Sequence, residues 1–350
     1  MPSREIRKIL VRGTNWLGDA VMTIPALLRL RDSFPAAHIT LLAPPRAAEV
    51  FTGFAQVDEI VVYHRKEQGK RAFLNAMQRL RREQFEVAIL FQNAFEAALL
   101  AVLGGAKIRI GYDTQGRGAL LTHKLKRGEE HRNRHQTNDY LDLVVEAERI
   151  CLGSAATAKR MTIPSLLVNA EQIQAAARFL PPPRAPKLIA LNVGATNSRA
   201  KCWPEDRFAA FADQMITEWN ALIVFIGAGS ERVNAERVIA QMQQARSAKN
   251  LAGETSIAEL IGLLASCDLL VTNDTGPAHV GAALNIPTLT IFGPTNEFET
   301  APLGLHSELI RAEGIDCARC MHRECPIDHR CMTRITVEAV AEKAFSLLEK

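Results

Sequence analysis

Three loops of the sequence carry side chains suited to group-transfer chemistry, and each follows a short apolar run. The first is Arg12-Gly13-Thr14-Asn15-Trp16-Leu17-Gly18-Asp19. Gly13 and Gly18 have the spacing of the two P-loop glycines, but Asp19 stands where a phosphate-binding lysine belongs, and a carboxylate there repels phosphate. An acid at a helix start either caps the helix or, kept ionised by the dipole and aimed into a crevice, acts as a general base. The second loop, Asn273-Asp274-Thr275-Gly276-Pro277-Ala278-His279, follows Leu269-Leu270-Val271-Thr272. Pro277 suits the first helical position, Gly276 lets a ligand approach the backbone, and the amides of a helix start favour a diphosphate. Asp274 cannot hold that anion by charge, so it accepts hydrogen bonds from sugar hydroxyls or fixes the loop; the segment also makes sense as a purely structural turn. The third loop runs from Gly194 to Trp203 and offers Thr196, Asn197 and an ammonium, Lys201, suited to neutralising charge on a phosphate leaving group.

Other signals are weaker. Ile226-Gly227-Ala228-Gly229-Ser230-Glu231 begins like a dinucleotide fingerprint, but Arg232 replaces the third glycine; Glu231 either accepts from a ribose or complements a helix dipole. Gln92 and Asn93 lie between a strand and a helix, where they read sugar hydroxyls or cap the turn. Arg65-Lys66 with Lys70-Arg71, and the stretch His123 to His135, are solvated faces or contacts for a phosphorylated acceptor at an anionic membrane surface. Near the C-terminus Cys317, Cys320, Cys325 and Cys331 have spacing that suits zinc, an iron–sulfur cluster, or reduced packed thiols, and four thiolates would close a metal's coordination shell against catalysis.

Elements able to position these loops are legible as an alternation. Apolar runs at 6–11, 39–42, 60–63, 87–91, 108–112, 188–193, 222–226, 269–272 and 288–292 read as buried parallel strands, and helical spacing fills segments such as 20–34, 73–82, 208–219, 233–242 and 257–265. The class is α/β. Pro181-Pro182-Pro183-Arg184-Ala185-Pro186 interrupts the pattern as a candidate linker and hinge, and two Rossmann-like domains are expected, 1–168 and 169–350, the second ending in the cysteine-rich tail and a C-terminal helix. With 350 residues, 47% of them hydrophobic and 23% charged, disorder is excluded. A formal charge of +4 is far from that of a dedicated nucleic-acid binder, so no nucleic-acid partner is expected. No apolar stretch approaches the ~18 residues of a membrane span, charged Arg4 to Lys8 run straight into a strand without a signal-peptide core, and the odd cysteine count does not suit a secreted disulfide scaffold, so a cytoplasmic setting is expected.

Taken together, the chain resembles the lipopolysaccharide ADP-heptose heptosyltransferases, most nearly the heptosyltransferase II group. The resemblance lies in Ile9 to Asp19, Lys201-Cys202-Trp203-Pro204, Thr272 to His279, Ile291-Phe292-Gly293-Pro294-Thr295 and the tail through Cys331-Met332, in order across nearly the whole chain. It implies a GT-B architecture of two facing Rossmann-like domains with parallel sheets, an N-terminal acceptor domain, a C-terminal nucleotide-sugar domain and a reaction cleft between them. Carried onto this sequence, it implies Asp19 as base; Asn15, Gln92 and Asn93 are the candidates for the acceptor side. It also implies that Lys201 and the loops of Thr196 and Thr275-Gly276 hold the donor diphosphate and that Asp274 orients the heptose; Asn197, Gly18, Glu231 and His279 are the further donor-side candidates. The implied reaction inverts the anomeric carbon of ADP-heptose without a catalytic metal, in keeping with the lack of an Asp-x-Asp motif, and a structural metal at the four tail cysteines remains compatible. The implied acceptor is Kdo-lipid A already bearing a heptose, at the cytoplasmic face of the inner membrane. In one departure, Gly194-Ala195-Thr196-Asn197-Ser198-Arg199 is more polar than the Gly-Ala-aromatic-Gly pattern of heptosyltransferase II. The rival readings are a transferase of the same architecture with another donor or acceptor, as in heptosyltransferase I, an epimerase, or a non-catalytic nucleotide-binding protein that would need neither Asp19 nor Lys201.

Overall fold

Strands rich in Ile, Val and Leu that are buried on both faces cannot sit at a solvated sheet surface, and they pair here as two all-parallel sheets. The structure, a computed structural model, describes residues 5–154, 163–180, 187–196 and 198–349. The expected Pro-rich linker at 181–186 therefore lies outside the described residues. The chain divides into two compact units, Met1–Ile163 and Pro164–Lys350. Residues 164–180 belong to the second: the Leu166 amide donates to the Ala283 carbonyl, and the backbone of Gln172 meets Gly262, where a Cβ would not fit.

The first unit holds β1 (Lys8–Arg12), β2 (His38–Ala43), β3 (Glu59–Val62), β4 (Val87–Leu90), β5 (Ile108–Tyr112) and β6 (His123–Leu125), in the spatial order β3-β2-β1-β4-β5-β6. Its central register sets Ile9 between Ile39 and Val87. The second unit holds β7 (Lys187–Asn192), β8 (Ala221–Phe225), β9 (Ala248–Asn250), β10 (Leu269–Asn273), β11 (Thr288–Phe292) and β12 (Ser307–Arg311), in the order β12-β11-β10-β7-β8-β9. Each is the six-stranded order of a dinucleotide-binding fold, in which the chain reverses direction beside its first strand. The reversal lies between β1 and β4 in one unit and between β7 and β10 in the other. At such points the loops leaving adjacent strands splay apart and open a crevice, and the loops of Asp19, Gln92, Thr196, Lys201 and Asp274 all start there.

Four differences from the sequence pattern have identifiable causes. The single helix expected over 20–34 is two, Leu17–Met22 and Ile24–Ser33, because Pro25 lacks the N–H that would continue the ladder and the Thr23 hydroxyl turns back to the Ala20 carbonyl at 2.7 Å. The stretch 123–135 is not simply a solvated basic face: it contains the edge strand β6, His131 and His135 are buried, and Arg127 and Arg134 are paired with Asp139 and Asp142. β9 and β12 are also edge strands, with only intermediate or exposed positions apart from Ile310, so they carry no continuous apolar run. The helix Thr137–Leu152, also unanticipated, docks on Ile24–Ser33 through the bidentate Arg29–Glu148 pair at 2.7 Å.

Candidate active site

In the first unit the strand end is built around a buried cation. Arg12 turns back along the loop and donates to the carbonyls of Gly13 (2.6 Å) and Leu42 (3.1 Å) and to the Asn15 side chain (3.2 Å), with its guanidinium over the Tyr63 ring. Burial lowers its pKa to about 10, so it stays charged at neutral pH. The loop is thereby held close against β2, where Gly13 leaves room for Leu41 and Ala43. Trp16 is the N-cap of the helix Leu17–Met22, which places Asp19 in its first turn, half-buried; Gly18 is buried beside it and Asn15 is exposed. Tyr140 is close enough to Asp19 for that charge, after burial itself, to push the phenol well above its usual pKa; Tyr140 also accepts from Gln136 at 2.6 Å and packs on Phe91. Gln92 and Asn93 follow β4 as expected, but the Asn93 side-chain oxygen accepts from the fully buried Arg117 at 2.8 Å, and Arg117 also reaches the Gln92 carbonyl. What Asn93 has left to offer a ligand is its amide N–H₂.

In the second unit the expected donor-side residues lie at the ends of neighbouring strands and include two hydrogen-bonded pairs, Lys201 with Asp274 and Thr196 with Glu231; Asn197 lies outside the described residues. Lys201 closes a single 3-10 turn, Arg199–Lys201, and its Nζ donates to Asp274 Oδ2 (2.9 Å) and to the Asp274 carbonyl (3.1 Å). Thr295 donates to the same Asp274 oxygen at 2.7 Å. Asp274 is 5% exposed as a side chain and Lys201 26%, so the pair is a nearly neutral unit exposed mainly on its lysine side. Beside it Thr275 is the N-cap of the helix Gly276–Ala283, Pro277 falls in the first turn, and His279 is buried. The Thr275 hydroxyl donates to the Asn192 side chain at 3.2 Å, tying the end of β7 to the end of β10.

Glu231 explains the interrupted glycine fingerprint. It is buried, accepts from the Ala228 amide (2.8 Å) and the Thr196 hydroxyl (3.1 Å), and occupies the space that a Cβ on Gly194 or Gly227 would need. Gly227, at φ 151°, and Gly194 thus admit a carboxylate, while Gly229 packs on Gly253. Sequence reasoning missed Asn192, Asn273 and Thr295. Asn273 donates to the Val193 and Gly194 carbonyls and accepts from the Trp203 amide, clamping both ends of the Lys201 loop. For the two asparagines a signal was available: an amide side chain ends each of the two apolar strands at the reversal.

Trp203 anchors that loop from below. It is 1% exposed, donates to the Ile335 carbonyl at 2.9 Å and stacks edge-on against Phe208. Trp203→Ala is expected to cost about 3–5 kcal/mol of stability, as buried aromatic truncations do. Urea unfolding of the variant checks this, and the surviving folded fraction should also lose activity because Lys201 loses its support.

The cysteine-rich segment forms the outer wall of the same loop. Ala200 donates to the Arg323 carbonyl at 3.0 Å, and His329 Nε2 lies 2.6 Å from the Ala200 carbonyl. Burial, then the neighbouring Cys325, Cys320 and Cys317, push the Cys331 thiol up to about 11. Among the described residues, the group whose possible ligand atoms all lie within 4.8 Å of one another is instead His131, Asp139 and Asp142. There Arg127 and Arg134 already occupy the carboxylates, and the four thiols are not drawn together to that spacing.

The sequence profile of glycosyltransferase family 9 (heptosyltransferase) matches residues 73–330. The chain is 27% identical over 348 residues to a lipooligosaccharide heptosyltransferase 2 of Campylobacter jejuni, covering 98% of each chain. It is 29% identical over 318 residues to lipopolysaccharide heptosyltransferase 2 of Escherichia coli K12, covering 87% of this chain and 88% of the other. Among solved structures, E. coli ADP-heptose lipopolysaccharide heptosyltransferase II superposes with a TM-score of 0.83 at 25% identity over 98% of both chains. The two parallel six-stranded sheets are thus those of the GT-B heptosyltransferases.

Proposed function

The chain belongs to glycosyltransferase family 9, and from that premise, with relatives named lipo(poly)saccharide heptosyltransferase 2, we propose that it moves heptose from an ADP-heptose donor to a heptose of the lipopolysaccharide inner core. The observation that carries this reading is the pairing of chemistry with position. A carboxylate, Asp19, follows the first strand of one unit, and a Lys201–Asp274–Thr295 array sits at a helix start beside the reversal of the other.

In the proposed step an acceptor hydroxyl attacks the anomeric carbon, the bond from that carbon to the β-phosphate oxygen breaks, and the hydroxyl proton passes to Asp19. Attack opposite the leaving group inverts the anomeric centre. Carboxylates are weak bases, so the proton leaves late, after the sugar has gained oxocarbenium character. The ADP that departs is met by the Thr275-Gly276 helix start and by the remaining N–H of Lys201. Asp274, turned toward Lys201 and Thr295, holds the ammonium in place and has lone pairs left for a heptose hydroxyl; Glu231, Thr196 and His279 line the same end of the sheet. No step draws on a metal.

Mass spectrometry of a truncated core incubated with protein and ADP-heptose tests the reading. A gain of one heptose on a core that already carries one is expected. Consumption of UDP-N-acetylglucosamine or ADP-glucose instead, or modification only of a core lacking heptose, would refute it. The working location proposed is the cytoplasmic face of the inner membrane, reached without a spanning segment in the described residues: none of their helices is long and apolar enough to cross a bilayer.

A further inference from the structure

Residues 65–83 hold seven Lys and Arg against two carboxylates, a local excess of five, whereas the entire chain carries +4. The rest of the molecule is therefore slightly acidic in sum, and this segment accounts for the net positive charge. Most of it is the helix Lys70–Glu83, whose Ala72, Ala76 and Leu80 face the core of the first unit. At about 100° per residue, Lys70, Arg71, Leu74, Arg81 and Arg82 fall within an arc of about 120° on the opposite side. All five are exposed, Leu74 by 50%. The helix's one carboxylate, Glu83, is paired with Lys8, and its remaining cation, Arg79, with Glu59. Among the described residues, Lys70, Arg71, Arg81 and Arg82 have no carboxylate partner. An all-cationic face with a half-exposed leucine, on a helix anchored by its other side, is complementary to an anionic lipid surface. The face also leads to the candidate site: just before the helix, Lys66 lies over the half-exposed Trp16 ring, three residues from Asp19.

We propose that the exposed face of Lys70–Glu83 docks the protein on the anionic headgroups of a bilayer, bringing the Asp19 loop to a lipid-anchored acceptor. The idea rests on the lipopolysaccharide reading for its purpose and on charge and exposure for its location. Each cation near such a surface contributes about fivefold in partitioning, so four together contribute on the order of 10²–10³.

The test is co-sedimentation of the full chain with vesicles of phosphatidylcholine alone or mixed with phosphatidylglycerol, alongside transfer of heptose to a deacylated, water-soluble core. The parent protein should sediment with the mixed vesicles only and be released by salt, since screening shortens the reach of the charges. A variant combining Lys70→Gln, Arg71→Gln, Arg81→Gln and Arg82→Gln should lose about 10² or more of that binding and keep the parent rate on the soluble core, which also shows that it folds. Equal vesicle binding by variant and parent, or retention of the parent by a DNA duplex but not by vesicles, would overturn the proposal. Vesicle binding as expected with no transfer to any core would leave the surface standing and remove the heptosyltransferase reading instead.

Discussion

Asp19→Asn is expected to reduce turnover by roughly 10²–10⁴ while leaving donor binding within a few-fold of the parent, the range associated with loss of a general base. Asparagine is close to isosteric, keeps the first turn of Leu17–Met22, and removes the negative charge and with it the ability to accept the proton. Because Asp19 is on the first unit and the proposed diphosphate contacts are on the second, ADP affinity should barely change. The measurement is kcat beside a calorimetric Kd for ADP: collapse of ADP binding with kcat little affected would contradict the assigned role. Tyr140 supplies a control. Its phenol feels the Asp19 charge and packs on Phe91, so Tyr140→Phe keeps the packing and should change the rate far less than Asp19→Asn.

The second large effect concerns the Lys201–Asp274 pair and is not additive. Lys201→Ala removes a donor near the leaving diphosphate, a change that typically costs on the order of 10²–10³ in rate. It also strips the buried Asp274 of its ammonium, leaving Thr295 as a donor to a carboxylate that now faces an anionic ligand with nothing to offset its charge. Donor affinity should therefore fall along with kcat. Adding Asp274→Asn removes that repulsion, so the double variant is expected to bind ADP more tightly than Lys201→Ala alone, although its turnover stays low. A double-mutant cycle on ADP Kd checks the sign. If the second substitution weakens binding further, Asp274 acts through the sugar or the loop rather than through the charge balance at the diphosphate.

Much of this protein can be read from residue order. Buried strands in an α/β chain announce themselves as unbroken Ile, Val and Leu runs, and nine of the twelve strands among the described residues are visible this way, including the four central ones that define both reversals. β6, β9 and β12 were not, because an edge strand is only partly covered and needs no apolar run. The break at Thr23 and the helix Thr137–Leu152 show the same limit: one turns on a proline's missing donor, the other on a buried ion pair with a partner 119 residues away.

The candidate residues divide likewise. Asp19, Lys201, Asp274 and Thr275 could be named from sequence because a polar loop after a buried strand is where such a fold exposes side chains. What each one faces was decided by tertiary structure. Lys201 and Asp274 are 73 residues apart and were assigned separate tasks, yet they meet at 2.9 Å, since β7 and β10 are neighbours only once the chain has reversed. Gly227 and Gly229 suggested a nucleotide fingerprint, yet the backbone there makes room for Glu231 and Gly253. Residue type and local spacing determine which groups can react and which end of a strand presents them; charge pairing and burial depend on contacts between distant segments, and only the folded chain brings those together.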